Sequence, residues 1–171
     1  MTTENAQPVV GEEFLDSQTM EIREIPLVKV GKYPSTFKGI STHCGKEWNS
    51  VPNLSIQHKL GAEANNRVVF SNLLMSVAPD KNGQKHYERK NGLKAFMKAF
   101  DTDIQQMRVL SKQVTNPETG ETVTLKYIDA DQIKAHLEQF VGKEYQVRVS
   151  VQAANGTWPA KNDIFEFFPA A

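Results

Sequence analysis

The residue types that could support catalysis are present, but their spacing does not suit a reaction. His43 and Cys44 place an imidazole next to a thiol in the chain. Adjacent residues of a strand point to opposite faces of the sheet, so this pair cannot act as general base and nucleophile. We therefore expect no cysteine-based catalysis at this position.

Two carboxylate pairs and the glycines give no stronger indication of an enzyme. The carboxylates are Asp101 with Asp103 and Asp129 with Asp131. Each pair adjoins a predicted helix boundary, where acidic side chains commonly cap the first turn. The chain has no phosphate-binding loop of the Gly-x4-Gly-Lys-Ser/Thr type, and its glycines lack the spacing of a dinucleotide-binding fold. The sequence predicts that the protein is not an enzyme.

Metal binding is not expected either. Cys44 is the only cysteine, which excludes a disulfide within the chain and a thiolate cluster. The four histidines are scattered, without the i, i+4 spacing of a zinc-binding helix. We predict no metal site and no cofactor.

Aromatic residues beside lysines offer a different chemistry, because every nucleic-acid base can stack on a ring while phosphates pair with cations. Trp48 lies in a polar segment with Lys46 two residues away, and Tyr87 lies in a basic segment. Trp158 follows a predicted tight turn. We predict stacking roles for Trp48, Tyr87 and Trp158, in that order of preference. The alternative for Trp48 is that its indole closes one end of a β-barrel.

Positive charge is concentrated in the middle of the chain, although 20 basic and 20 acidic residues give a net charge of zero. Residues 1–24 contain one basic and six acidic residues, residues 25–98 contain twelve and four, and residues 99–171 contain seven and ten. Such crowding of like charge is unfavourable unless a polyanion or distant acidic groups offset it. Ordinary solvation of surface lysines is the alternative. The predicted nucleic-acid-binding residues are Lys38, Lys46, Trp48, Lys59, Arg67, Lys81, Lys85, Tyr87, Arg89, Lys90, Lys94, Lys98, Arg148 and Trp158.

The length of 171 residues and an apolar content of 39% suit one domain with one core. We expect an acidic, flexible N-terminal arm over residues 1–24 and a single domain over residues 25–171. The negative charge of the arm suggests that it competes with a polyanion for a groove lined by the basic residues of the middle segment. The chain has no apolar run of the roughly 20 residues that span a bilayer. The arm also lacks the basic start of a secretory signal, so we expect a cytoplasmic protein without membrane contact.

The first half of the domain is predicted to form three strands. Residues 25–40 suggest one long strand that bends at a glycine or proline. Residues 54–60 alternate between apolar and polar side chains, as in a strand with one buried face. Residues 67–77 form a nearly continuous apolar run, which predicts burial on both faces for part of its length. The phenylalanines assigned to the core are Phe37, Phe70, Phe96 and Phe100.

Helical periodicity follows the three strands. Apolar residues between positions 93 and 100 recur at intervals of three and four, and Lys90, Lys94 and Lys98 form a row beside this apolar face. Residues 104–128 predict an inserted hairpin. Asp129 or Asp131 is expected to cap a second helix that Gly142 ends.

Strands over residues 145–151 and 164–168 complete the chain, so the order is three strands, helical material and two strands. This order predicts a mostly β fold (β-rich α+β). The expected architecture is an OB-like (oligonucleotide/oligosaccharide-binding) five-stranded barrel with one or two helices and an inserted hairpin. A β-sandwich is the alternative.

Short motifs over residues 25–169 carry a family resemblance. They are Gly31-Lys-Tyr33, Val69-Phe-Ser-Asn-Leu73, Leu93-Lys-Ala-Phe96, Val141-Gly-Lys143, Val147-Arg-Val149, Asn162-Asp-Ile and Pro169. The chain resembles a phage family of single-stranded DNA-binding proteins with an OB-like fold, found in replication and recombination gene clusters. The resemblance implies a protein that coats and protects single strands and recruits replication or recombination proteins. Many such proteins end in an acidic tail, whereas residues 163–169 are better explained here as the last strand.

The basic middle of the chain, the aromatic residues beside lysines and the family resemblance together predict a sequence-tolerant single-stranded DNA-binding protein. We expect it to act in a phage-infected host cell. One alternative is a protein–protein interaction module, such as a phage factor that binds a host or phage enzyme. A carbohydrate-binding β-domain is another. Whether the protein forms a homo-oligomer stays open.

Overall fold

The computed structural model describes residues 10–15, 18 and 22–171, and nine strands and two α-helices lie in this part of the chain. In chain order they are β1 (Val10–Leu15), β2 (Ile22–Pro26), β3 (Gly31–His43), β4 (Asn53–Leu60), β5 (Val68–Leu73), α1 (Leu93–Ala99), β6 (Val109–Thr115), β7 (Thr122–Ile128), α2 (Ala130–Leu137), β8 (Glu144–Gln152) and β9 (Lys161–Phe168). Strands take up 42% and helices 16% of the residues, which confirms the predicted β-rich α+β fold.

Five strands form one antiparallel sheet in the order β9-β8-β3-β4-β5. Its two outer strands, β5 and β9, approach each other until some of their Cα atoms lie within 8 Å. The described residues form no hydrogen-bonded ladder between these two strands. The sheet therefore has the five strands that the sequence predicts, but it stays open along this seam and does not close into a barrel.

Strand β3 is thirteen residues long and changes partner along its length. Residues 31–36 pair with β8, and residues 35–43 pair with β4. The register shifts between Phe37 and Gly39, so Lys38 is the extra residue of a β-bulge, which bends the strand. The prediction of one long bent strand is confirmed, although Ile25, expected within it, belongs to β2.

Strand β5 is shorter and more amphipathic than the sequence indicates. The apolar run contains a strand only over Val68–Leu73. Val69, Ser71 and Leu73 are buried, whereas the Phe70 side chain is 58% exposed. The prediction that this segment is buried on both faces, with Phe70 in the core, is wrong because the core covers only the inner face of the sheet and side chains alternate between the faces.

Helix α1 has the apolar face that its periodicity predicts. Leu93, Phe96 and Met97 are buried, while Lys94 and Lys98 are exposed on the other side. Phe96 packs edge-on against two other rings, at 5.2 Å from Phe37 and 5.0 Å from Phe167 between ring centroids. Each such pair contributes about 0.5–1.5 kcal/mol beyond the area it buries. This packing holds α1 against the sheet and turns its lysines outward.

Gly92 allows the chain to enter α1. A Cβ atom at this position would lie 2.2 Å from the carbonyl oxygen of His86, which belongs to the preceding 3-10 turn. A real Cβ cannot come so close to a backbone oxygen. Glycine is therefore required here by the close approach of two backbone segments.

The predicted hairpin and second helix are also present. Strands β6 and β7 pair as a separate two-stranded sheet. Asp129 caps α2, since its carboxylate accepts hydrogen bonds from the backbone N–H groups of Asp131 and Gln132. The helix ends at Leu137, and after a 3-10 turn Gly142 takes a positive φ of 93° before β8 begins.

The predicted N-terminal arm is only partly described. Its backbone contributes β1 and most of β2, which pair with each other. Residues 1–9, 16, 17 and 19–21 lie outside the described residues. The flexibility of the arm and the boundary after residue 24 therefore stay predictions.

Candidate nucleic-acid interface

The strands β3, β4 and β5 contain no Asp or Glu. Two lysines, Lys38 and Lys59, are exposed on their outer face, and neither has an ion-pair partner among the described residues. These three strands therefore present no like charge of their own to a polyanion. We call it the sheet face, and its outward residues are Lys38, Ser41, Ser55, Gln57, Lys59, Phe70 and Asn72.

Phe70 lies on the sheet face among polar neighbours. In the antiparallel register it stands opposite Gln57, which in turn stands opposite Gly39. Ser55 and Asn72 form the next pair on the same face. An exposed ring beside amide and hydroxyl groups can stack on a base and hydrogen-bond to its edge.

Buried hydrogen bonds beneath the sheet face hold the strand that carries Phe70. The completely buried His58 of β4 shares a hydrogen bond through Nδ1 with the Tyr145 hydroxyl of β8, and one of 2.7 Å through Nε2 with Ser71 Oγ of β5. Burial lowers the pKa of His58 to about 3 and raises the pKa of Tyr145, so both groups are neutral at pH 7. Because Ser71 follows Phe70 directly, this network fixes the register that turns Phe70 outward.

A groove of about 270 Å³ runs along the seam between β5 and β9, and we call it the seam groove. Phe70 and Asn72 line it on the β5 side, and Lys161, Asn162 and the acidic Asp163 line it on the β9 side. Asn162 holds the chain that leads into β3. Its amide donates to the Val28 carbonyl oxygen and its own oxygen accepts from the Val28 N–H, both at 2.9 Å. The sheet face thus continues into a groove with a fixed wall.

Two of the predicted residues belong to this region. Arg67 lines the seam groove and donates a hydrogen bond of 2.6 Å to the Pro26 carbonyl oxygen. Trp158 is 76% exposed on the loop between β8 and β9. It precedes by two residues Ala160, which lines the groove. The loop that carries the exposed indole therefore meets the groove that Phe70 lines.

The predicted lysine row borders two adjoining depressions beside α1. Lys90, Lys94 and Lys98 are exposed and line a depression of about 570 Å³ together with Asp101 and Asp103. Two of these lysines, at positions 90 and 98, also line a second depression of about 280 Å³ that reaches the last strand. Within the described part of the chain none of the three lysines forms an ion pair. The three lysines are therefore not held in ion pairs by the described residues, although Glu88 lines the same depression beside the two aspartates.

Phe168, which lines the second depression, holds two further cations in place. Lys32 Nζ lies 4.0 Å from the centre of its ring, and the guanidinium carbon of Arg148 lies 5.4 Å from it. Arg148 also pairs with Glu166 at 3.5 Å. Cation–π contacts at exposed sites contribute about 0.5–1 kcal/mol, so the ring restricts where these cations point. The helix-side strip is the name we give to Lys32, Lys90, Lys94, Lys98, Arg148 and Phe168.

Predicted residues between β5 and α1 are largely tied into the fold. Arg89 is half-buried and forms an ion pair with Asp80. Tyr87 is half-buried against the hydrophobic core, with Lys85 Nζ 6.0 Å from the centre of its ring. Lys81 is exposed. Tyr87 therefore offers less surface for stacking than the sequence suggests.

Lys46 and Trp48 lie on the loop between β3 and β4. Lys46 is exposed and Trp48 is half-buried. Trp48 lines neither of the two depressions that contain the lysine row. Both roles considered for Trp48, stacking and closing one end of the sheet, stay predictions.

Sequence reasoning misses most of the uncharged residues of the sheet face, including Gln57, Phe70 and Asn72. It also misses Lys32 and Phe168 of the helix-side strip. Phe70 is hidden in an apolar run that predicts a core position for it. Strict alternation along β5 and the absence of acidic residues from three consecutive strands are signals that could have found the sheet face. The contact of Lys32 with Phe168 joins residues far apart in the chain and has no local signal.

Comparison with known proteins gives no further indication, since no protein-family model matches the chain and no curated protein matches it significantly. Among the described residues, no three His, Cys, Asp or Glu side chains come together to form a metal site. In the same part of the chain, no helix has both the length and the apolar character needed to cross a membrane.

Proposed function

We propose that the protein binds single-stranded DNA with little sequence preference and that the strand lies on the sheet face. The observation that carries the proposal is the exposed Phe70 ring on a sheet face whose three strands contain no Asp or Glu. Coating of single strands during phage replication or recombination is part of the same proposal and is supported by the family resemblance.

The chemistry of the sheet face suits single strands better than duplexes. A stacked base needs an accessible π-face, which a single strand offers and a closed duplex does not. Phe70 supplies the ring, Gln57 and Asn72 supply adaptable hydrogen-bonding groups, and Lys38 and Lys59 supply charge for the phosphates. Polar groups without a fixed donor and acceptor pattern favour tolerance of sequence.

The test is a titration of intrinsic tryptophan fluorescence with oligothymidine of about 16 nucleotides, the upper end of what an OB fold occupies. Trp158 is exposed on the loop next to the seam groove, so binding is expected to quench its emission. The affinity should fall steeply as the salt concentration rises, because bound phosphates release counterions. No quenching at low salt would contradict the proposal.

A pair of matched variants tests the location. Phe70→Ala removes a ring that is 58% exposed on the sheet face, and Phe165→Ala removes one that is 54% exposed on β9 and does not line the seam groove. A stacked base contributes about 1–3 kcal/mol, so Phe70→Ala should weaken binding about 5- to 150-fold. Phe165→Ala should leave affinity within about twofold. Equal losses of affinity in the two variants would show that single-stranded DNA does not bind at the sheet face.

A further inference from the structure

The helix-side strip and the sheet face are linked by one strand, β3. Its C-terminal half pairs with β4 within the sheet face, and its N-terminal half pairs with β8, where Lys32 stands opposite Arg148. The side chains of Lys32, Pro34, Thr36 and Lys38 follow one another along its outer side. At about 3.3 Å per residue, this row covers roughly 20 Å between the two lysines.

The middle of this row itself carries no negative charge. Pro34 and Thr36 are uncharged, and the residue of β8 opposite Pro34 is Gln146. Glu144, opposite Thr36, is the one acidic residue that the described strands place beside the row, and Lys59 stands opposite Thr36 on the other side. A phosphate chain leaving the sheet face therefore meets two neutral side chains between two lysines, with one acidic residue beside them.

Beyond Lys32 the strip is arranged for phosphates and not for bases. The half-buried ring of Phe168 has Lys32 at 4.0 Å and Arg148 at 5.4 Å, so cations occupy part of the surface that a base would need for stacking. Lys90 and Lys98 follow on the rim between the two depressions, and Lys94 completes the row. Acidic residues interrupt the strip, at Glu166 and around the larger depression, which limits its affinity for a short anion.

We propose that the helix-side strip is a second, stacking-free binding segment that takes the backbone of a single strand after it leaves the sheet face over β3. This inference rests on the proposed function and extends it, because it assigns a ligand to a surface whose one ring is half-buried and in contact with cations. Short oligonucleotides occupy the sheet face alone, and longer ones occupy both surfaces.

The experiment compares two lengths of oligothymidine, about 6 and about 25 nucleotides, which lie near the lower end and above the upper end of the range for one OB fold. The double variant Lys90→Gln with Lys98→Gln removes the two lysines shared by both depressions. Its matched control, Lys126→Gln with Lys143→Gln, removes the same charge from exposed positions on β7 and before β8. All four lysines are exposed, so folding should be unaffected, which thermal denaturation checks.

We expect the strip variant to weaken binding of the long oligonucleotide on the order of tenfold at low salt. The slope of log affinity against log salt should become shallower by about 1.4, or about 0.7 for each phosphate that is no longer neutralised. Binding of the short oligonucleotide should change no more than in the control variant. Equal affinity and salt dependence of the two variants with the long oligonucleotide would contradict binding at the helix-side strip. The proposal for the sheet face would be unaffected. Failure of the unaltered protein to bind either length would overturn both proposals.

Discussion

The sheet face and the helix-side strip differ in what positions them. Beneath the sheet face lies a buried polar network in which His58 joins Tyr145 and Ser71 from two other strands. Beneath the strip, α1 is held by apolar and aromatic packing of Phe96 against Phe37 and Phe167. Polar networks demand specific partners and geometry, whereas apolar packing tolerates adjustment.

The two surfaces also use aromatic rings differently. Phe70 is 58% exposed and its neighbours are neutral polar groups, so the ring is available to a ligand. Phe168 is half-buried and makes cation–π contacts with Lys32 and Arg148, so the ring helps to position these cations. One surface is thus suited to bases and the other to phosphates, although both combine Phe with basic residues.

Replacing His58 should have the largest effect, which is a loss of stability of the whole domain. His58→Leu leaves the hydroxyls of Tyr145 and Ser71 without their buried partner, at about 1–3 kcal/mol for each unsatisfied group. We expect a loss of roughly 2–6 kcal/mol in the free energy of unfolding, measured by urea denaturation. The control is His136→Leu, since His136 is half-buried and hydrogen-bonded to Thr102. A loss for His58→Leu no greater than for the control would show that the buried network is not needed.

The same histidine predicts how stability depends on pH. In the folded protein the pKa of His58 is about 3, compared with 6.5 for an unperturbed histidine. Between these values the unfolded chain binds a proton that the folded protein excludes, so acid favours unfolding. The free energy of unfolding should therefore fall between about pH 6.5 and pH 3, by up to about 1.4 kcal/mol per pH unit from this group. Denaturation at several pH values should show a shallower fall in His58→Leu, and an identical fall in both proteins would contradict the assignment.

Charge reversal should separate the two surfaces by oligonucleotide length. Lys59→Glu puts a carboxylate on a surface whose strands have none, and we expect about a tenfold loss of affinity for short and long oligothymidine alike. Lys94→Glu adds one to a depression that already contains Asp101 and Asp103, so we expect a smaller loss confined to the long oligonucleotide. Fluorescence titrations measure both variants. If Lys94→Glu weakened binding of both lengths and Lys59→Glu weakened only that of the long oligonucleotide, the roles proposed for the two surfaces would have to be exchanged.

The smallest effect is expected from the ring of the strip. Phe168→Leu keeps an apolar side chain but removes two cation–π contacts, each of about 0.5–1 kcal/mol. Affinity for the long oligonucleotide should fall about two- to fivefold, with no change for the short one. Phe165→Leu is the matched control, because Phe165 lies on the same strand and is 54% exposed. A weaker affinity for the short oligonucleotide would mean that Phe168 stacks on a base after all.

Much of the local structure follows from the sequence alone. Alternating residues predict β4 and β8, the three- and four-residue spacing of Leu93, Phe96 and Met97 predicts α1, and Asp129 is found at the predicted cap. These patterns are visible because the period of an element depends on its own backbone geometry. The basic character of the middle of the chain is likewise a property of the residues themselves.

The surfaces were decided by tertiary structure. Alternation in β5 separates Phe70 from Val69 and Ser71, but it does not say which set the core covers, so the apolar run predicts the wrong face for Phe70. The partners of His58 lie 13 and 87 residues away, and no local pattern links them. Lys32 meets Arg148 and Phe168 only because β3, β8 and β9 are neighbours in the sheet. The sequence by itself determined the elements and the charge that they carry, while the order of the strands determined which of those charges and rings share a surface, because such contacts depend on the whole chain and not on any one segment.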